Sequence, residues 1–310
     1  MKKIIFFLSF TTAVTLKAQE KPTIDKQEIV RIESTLASDK MQGRAIFSAG
    51  IDSASAFIEN EFEKIGLDFY KNLQNYRQEF INKRRLANNV IGVLLGKSKP
   101  DEFVIFSAHY DHLGMKRDGE DKIFNGANDD ASGTTAVIAL AKYFKALDNN
   151  VRTIIFVAFT GEEIGGLGSG YFSENINPKK VVAMFNIEMI GTESKWKKNS
   201  AYITGYDKSD FGLILQRNLK NTNFTFYPDP YPKEQLFYRS DNATLAAFGV
   251  PAHTISTSKM DVEPNYHQVS DDISTLDLNN MTEIIKAIAI SSQSIISGQA
   301  TPTRVKKVTQ

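Results

Sequence analysis

The chain has 310 residues, 42% of them apolar, enough to bury the core of one large α/β domain or two small ones. Its 37 basic and 36 acidic residues leave a formal charge of +1, so nothing in the charge favours nucleic acid. Cysteine is absent, which excludes disulfides, Cys-linked lipid and thiolate metal sites; any metal must be held by His and carboxylates.

The first residues read as a targeting segment. Lys2 and Lys3 precede a mostly apolar stretch over 4–16 that is too short to span a bilayer, and Ala18 is followed by polar Gln19-Glu20-Lys21. A signal peptide over 1–18 is expected, with an uncleaved anchor as the alternative. The mature chain is then exported, periplasmic or secreted, with no membrane contact after cleavage.

Apolar residues at helical spacing predict helices over 27–37 (Ile29, Ile32, Leu36) and 51–65 (Phe57, Ile58, Phe62), the second stopped by Gly66. Strands follow over 89–95 and 102–108, the latter ending at His109. A helix is predicted over 131–147 and a buried strand over 151–159, ending at Gly161-Glu162-Glu163. A further strand over 181–187 ends at Glu188. Helices over 211–219 and 242–248, a strand over 252–256 and a long closing helix over 276–296 complete the order. Phe226-Tyr227-Pro228-Asp229-Pro230-Tyr231-Pro232 reads as a loop, a candidate wall or lid. Residues 301–310, with Arg304-Val305-Lys306-Lys307, read as a flexible, solvated tail.

Alternating strands and helices imply an α/β fold: a mainly parallel twisted sheet with helices on both faces. No internal repeat and no long Pro/Gly/Ser linker interrupts the sequence, so residues 19–300 are expected to form one domain. His109, Glu162, Glu163 and Glu188 all fall just past strand ends, where such sheets bind ligands.

Each motif also has a plainer reading. His109 and Asp111 lie two apart on an emerging strand, so the carboxylate can accept the second ring N–H of the imidazole; they can equally be surface neighbours. Asn128-Asp129-Asp130 precedes a helix and can cap it, or Asp129 can bridge two cations. Glu162 and Glu163 end a buried strand, where adjacent carboxylates repel unless cations sit there. Glu188 is flanked by Phe185, Ile187, Met189 and Ile190 and needs a partner, either a metal or a Lys or Arg. Tyr266-His267 says little alone. His253, after Pro251-Ala252 in an apolar run, reads as a packed core residue.

Taken together, the H-x-D of His109 and Asp111, the G-x-N-D-D-x-S-G run around Asp129, the Glu162-Glu163 pair and the late His267 resemble the co-catalytic zinc aminopeptidases of metallopeptidase family twenty-eight, including the leucine-type bacterial aminopeptidases. The resemblance extends from Gln42-Gly43-Arg44 to the last helix. It implies a phosphorylase/hydrolase-like zinc exopeptidase fold and two zinc ions per chain. Asp129 would bridge the ions, His109 and Glu188 would complete one, and Glu163 and His267 the other. Glu162 would be the general base, Asp111 would support His109, Tyr266 would donate to the oxyanion, and the Asp129-Asp130 peptide would be cis. The implied partners are peptides with a free N-terminus, acted on by a monomer.

Two positions depart from the pattern. Glu188 stands where many members carry Asp, and Ser240-Asp241-Asn242 has Asn where the family has His. Arg239 is a candidate substrate contact. The other readings are a single-zinc glutaminyl cyclase of the same fold, a carboxypeptidase or dipeptidase, and a non-catalytic binding module.

Overall fold

The computed structural model describes residues 21–306. The expected signal peptide lies outside them. The chain opens with α1 (Lys26–Leu36), capped by the Asp25 carboxylate on the N–H of Gln27, and α2 (Ala49–Ile65), closed by Gly66 in the left-handed conformation at φ 76°. Strands β1 (Asp68–Phe69), β2 (Arg77–Asn82), β3 (Arg85–Leu94) and β4 (Lys99–His109) follow, then the small hairpin of β5 (Gly114–Met115) and β6 (Ile123–Phe124). The turn Ala127–Ala131 leads into α3 (Ser132–Leu147), β7 (Arg152–Phe159), α4 (Leu167–Glu174), β8 (Val181–Ile187) and β9 (Ser200–Ile203). The remaining elements are α5 (Phe211–Asn218), β10 (Thr225–Pro228), α6 (Asn242–Ala247), β11 (Ala252–Ser256), α7 (Leu278–Ser291) and α8 (Gln293–Ile296).

The main sheet runs β1-β3-β7-β4-β8-β11-β9-β10, with β2 also on β3. Its centre, β7-β4-β8-β11, is parallel, as the sequence predicts; β3 and β9 join it antiparallel. Central strands buried on both faces read as continuous apolar runs, and β7 is buried along its whole length. One face packs against α1, α2, α3, α5 and α7, through Ile32, Phe62, Phe144, Phe211 and Ile284. The other carries α4 and α6, through Phe172 and Leu245.

Three expectations change. The 226–232 stretch is not loop throughout: Phe226 is buried in β10, and Tyr227 stacks on Trp196 with ring centroids 4.2 Å apart. The long last helix breaks at Ser292, whose hydroxyl bonds back to the Ala289 carbonyl. Residues 301–306 are anchored rather than solvated. Arg304 donates to the carbonyls of Val181 (2.7 Å) and Pro178 (3.0 Å), Thr303 N–H donates to Asp210 (2.7 Å), and Val305 is buried.

Candidate metal centre

Parallel β4, β7 and β8 bring His109, the Glu162–Glu163 turn and Glu188 to one edge of the sheet. Asp129 arrives from the turn before α3, and His267, at φ 57°, from the irregular segment after β11. The Asp129–Asp130 peptide is cis. Asp130 does the capping work: its Oδ1 accepts the N–H of Gly133 and of Met189, both at 3.0 Å, and this frees Asp129 to face the cleft.

His109 Nε2 lies 3.2 Å from Asp129 Oδ1. On the opposite side, His267 Nε2 lies 3.4 Å from Asp129 Oδ2 and 3.0 Å from Glu163 Oε2. The two oxygens of one carboxylate therefore face two separate donor sets. A tetrahedral zinc ion with bonds of ~2.0–2.1 Å holds its ligand atoms about 3.3 Å apart, so these separations suit it. Glu188 lines the same cleft as Asp129, Glu162, Tyr266 and His267. His109 Nε2, Asp129 Oδ2 and Glu188 Oε2 are buried without a well-formed hydrogen bond. Orphaned polar atoms cost about 1–3 kcal/mol each, a cost that cations between them would remove. The residues present fit a pair of zinc ions.

Electrostatics point the same way. Burial, then the facing Glu188, Asp241 and Asp111, push the Glu162 carboxyl up to about 10. Burial, then Asp129 and Asp241, lift Glu188 to about 7. Hydrogen bonds to Asp129 and Glu163 hold the His267 ring up at about 10. Carboxylates this crowded ionise together only beside positive charge, which bound cations would supply. Tyr266 stacks on His267 with centroids 3.9 Å apart, and burial followed by the nearby carboxylates pushes its hydroxyl above the ordinary range, so it stays a donor.

Asp111 acts differently from the expectation. His109 Nδ1 pairs with the backbone carbonyl of Asp111 at 3.1 Å, while the carboxylate Oδ1 is 3.8 Å away. The carboxylate turns instead to the N–H groups of Glu162 (3.2 Å) and Glu163 (3.4 Å), bracing the turn that carries both glutamates. His109 is still oriented by residue 111, through its main chain.

Residues 89–291 match the sequence profile of Peptidase family M28. The chain belongs to that family. The aminopeptidase YwaD of Bacillus subtilis (strain 168) is 24% identical over 238 residues, 71% of this chain and 47% of that protein, so the chain spans about half the length of this curated relative. Among solved structures, a zinc aminopeptidase from Bacillus subtilis superposes with a TM-score of 0.72 at 15% identity, covering 91% of this chain and 98% of that one. The glutaminyl cyclase of Porphyromonas gingivalis superposes at 0.70 and 16% identity, covering 88% and 99%. Both share the fold of this M28 chain.

Other residues surround this M28 site, and of these His112 and Asp271 have no signature in the sequence. Arg44 is fully buried and donates to the carbonyls of Leu36 (2.7 Å), Tyr110 (2.8 Å), Asn125 (2.6 Å) and Gly126 (2.9 Å), tying α1 to the exit of β4 and the Asp129 turn. Asp271 holds the N–H groups of Asn128 and Asp129. His112 sits beside Glu163. Asp241 is buried near Glu162 with both oxygens unpaired. Asn242, at the family's His position, is satisfied by Phe237, Ala252 and Thr254. Arg239 reaches the cleft wall with Leu236 and Ser240, its carboxylate partner Glu234 lying 3.4 Å away. His253 is a core residue, stacked on Phe211.

Proposed function

We propose that the chain is a metal-dependent aminopeptidase that hydrolyses the N-terminal peptide bond of peptides, with two zinc ions and Glu162 as general base. The observation that carries this reading is the orientation of Asp129, whose two oxygens face His109 on one side and His267 and Glu163 on the other. His109, Glu188 and Asp129 would hold one ion, and Asp129, Glu163 and His267 the other. Bound zinc would polarise the scissile carbonyl and lower the pKa of water toward ~7.

The chain's own groups do the rest. Glu162, deep in the cleft, takes the proton from the attacking water and delivers it to the leaving amine. The Tyr266 hydroxyl donates to the charge developing on the carbonyl oxygen. The carboxylates around Glu162 and Glu188 attract the free α-amino group, and Ser256, Ser258, Tyr202, Met189 and Met260 line the pocket beyond. Asp111 and His109 keep the first strand end in register with the glutamate turn. The basic and apolar start over 1–18 supports export to the periplasm or beyond; among the described residues no helix is long and apolar enough to cross a membrane.

The test is mass spectrometry of peptides with free N-termini, some beginning with Gln, incubated with zinc-loaded protein. Loss of one residue from the N-terminus is the expected result. Loss of ammonia from the Gln peptides alone would replace this reading with a cyclase, as its structural neighbour from Porphyromonas gingivalis is. Removal from the other end would make it a carboxypeptidase.

A further inference from the structure

His112 lies outside the ligand set, yet its ring is buried among those ligands. Its Nδ1 stands 2.7 Å from Glu163 Oε1 and 3.8 Å from Asp129 Oδ2, and its ring meets that of His267 edge-on with centroids 5.8 Å apart. Among the described residues, His112, Asp129 and Glu163 bring one donor atom each within 4.8 Å of one another, so the imidazole is either a further metal ligand or a neighbour that orients one.

Distances separate the two. Atoms sharing a tetrahedral zinc ion sit about 3.3 Å apart, as the His267 pairs do within a few tenths of an ångström. The 2.7 Å between Nδ1 and Oε1 is instead the length of a charge-assisted hydrogen bond. The tautomer agrees. With the hydrogen on Nδ1, the buried and unpartnered Nε2 carries only a lone pair; a metal on Nδ1 would leave an N–H there with nothing to receive it.

The ring position is itself fixed. Its face lies against Gly126, where an added Cβ would come within 2.6 Å of Cγ and Cδ2, and the backbone N–H of His112 donates to the Arg44 carbonyl at 3.2 Å. Gly126, at φ 57°, meets both demands, as glycine alone does without strain.

We infer that His112 is a positioning residue for Glu163. Its Nδ1–H engages Oε1 and leaves Oε2 as the ligand atom, aligned with His267 Nε2 and Asp129 Oδ2. The inference rests on the two-ion reading and concerns the ion on the His267 side.

Three variants test it through metal affinity, measured by chelator competition and by the absorption spectrum of the cobalt-loaded protein. His112→Asn places a side-chain N–H close to the position of Nδ1. His112→Gln places one nearer Nε2, and His112→Ala has none. The expected result is that one of two ions binds about 10- to 100-fold more weakly in His112→Ala and His112→Gln, with near-normal binding and cobalt spectrum in His112→Asn. Equal loss in all three would make His112 a ligand and overturn the inference. Unchanged affinity in all three would reduce it to packing and overturn it too. Asn and Gln are both smaller than imidazole, so a general packing defect would affect them alike. If the wild type binds one ion, the two-ion reading fails separately, and His112 is still judged by whether Asn restores what Ala removes.

Discussion

Asp271 grips Asp129 by its backbone: the N–H of Asp129 points at Asp271 Oδ2 from 3.0 Å, while Oδ1 takes the N–H of Asn128 at 2.8 Å. Asp271 lies four residues after His267, so this contact sews together the two segments that would share an ion. In Asp271→Asn one acceptor becomes an N–H facing an N–H. Zinc affinity is expected to fall about 10- to 100-fold, and dialysis against graded chelator reads it.

Glu162 lies in the cleft and outside both donor sets. Glu162→Gln removes the proposed base and leaves the proposed ligands. The expected outcome is kcat reduced by ~10²–10⁴ with unchanged zinc content, read by peptide turnover and elemental analysis of one preparation. Full activity would remove Glu162 from the mechanism.

Asp129→Ala takes an oxygen from each donor set at once. Zinc content should drop for both ions together, whereas Glu188→Ala should spare the His267 side. Loss of a single ion in Asp129→Ala would break the bridging assignment.

His253 sits in the core, donating from Nδ1 to the Thr204 carbonyl (2.8 Å) and accepting from the Ser209 hydroxyl at Nε2 (2.7 Å). Burial lowers its pKa from 6.5 to about 4. Above pH 6.5 neither the folded nor the unfolded chain protonates it, and the fold has its full stability. Between 6.5 and 4 only the unfolded chain takes up the proton, so stability falls with pH, by about 3 kcal/mol over the whole window. Urea unfolding between pH 7 and 4.5 should show this slope, and His253→Asn, which keeps the Nδ1-side donor, should flatten it.

Arg44 satisfies four carbonyls from one buried guanidinium. Burial pulls its pKa down, with Glu33 and Asp271 opposing. Arg44→Met leaves those carbonyls unpaired and should cost about 3–5 kcal/mol, seen in denaturant midpoints of the metal-free protein.

The strand ends are legible in the sequence because a strand buried on both faces is a largely apolar run, so the His and Glu residues at or just past the ends of β4, β7 and β8 mark the ligand edge. His109, Glu162, Glu163 and Glu188 were found that way. The edges of the sheet were not. β2 buries Gln78 and Phe80 and exposes Glu79 and Ile81, and β10 is four residues ending in Pro228, so neither makes an apolar run. The residues that hold the ligands are harder still. Arg44, His112 and Asp271 act through backbone groups or through side chains far away in sequence, and no local spacing encodes that. Asp111 shows the limit: its proximity to His109 was readable, but which of its atoms faces the ring depends on a turn that begins at Gly161.

Because His109 and His267 are separated by most of the catalytic domain's length, a ribosome has made nearly all of the domain before the last donor exists. N-terminal portions fold first during synthesis, and here they can bring together His109, Asp129 and Glu188 but not the His267 that would complete the second donor set. A nascent chain is thus an incomplete hydrolase by construction. On the two-ion reading, hydrolytic competence would arrive late, after translation has passed His267 and that segment has closed onto Asp129.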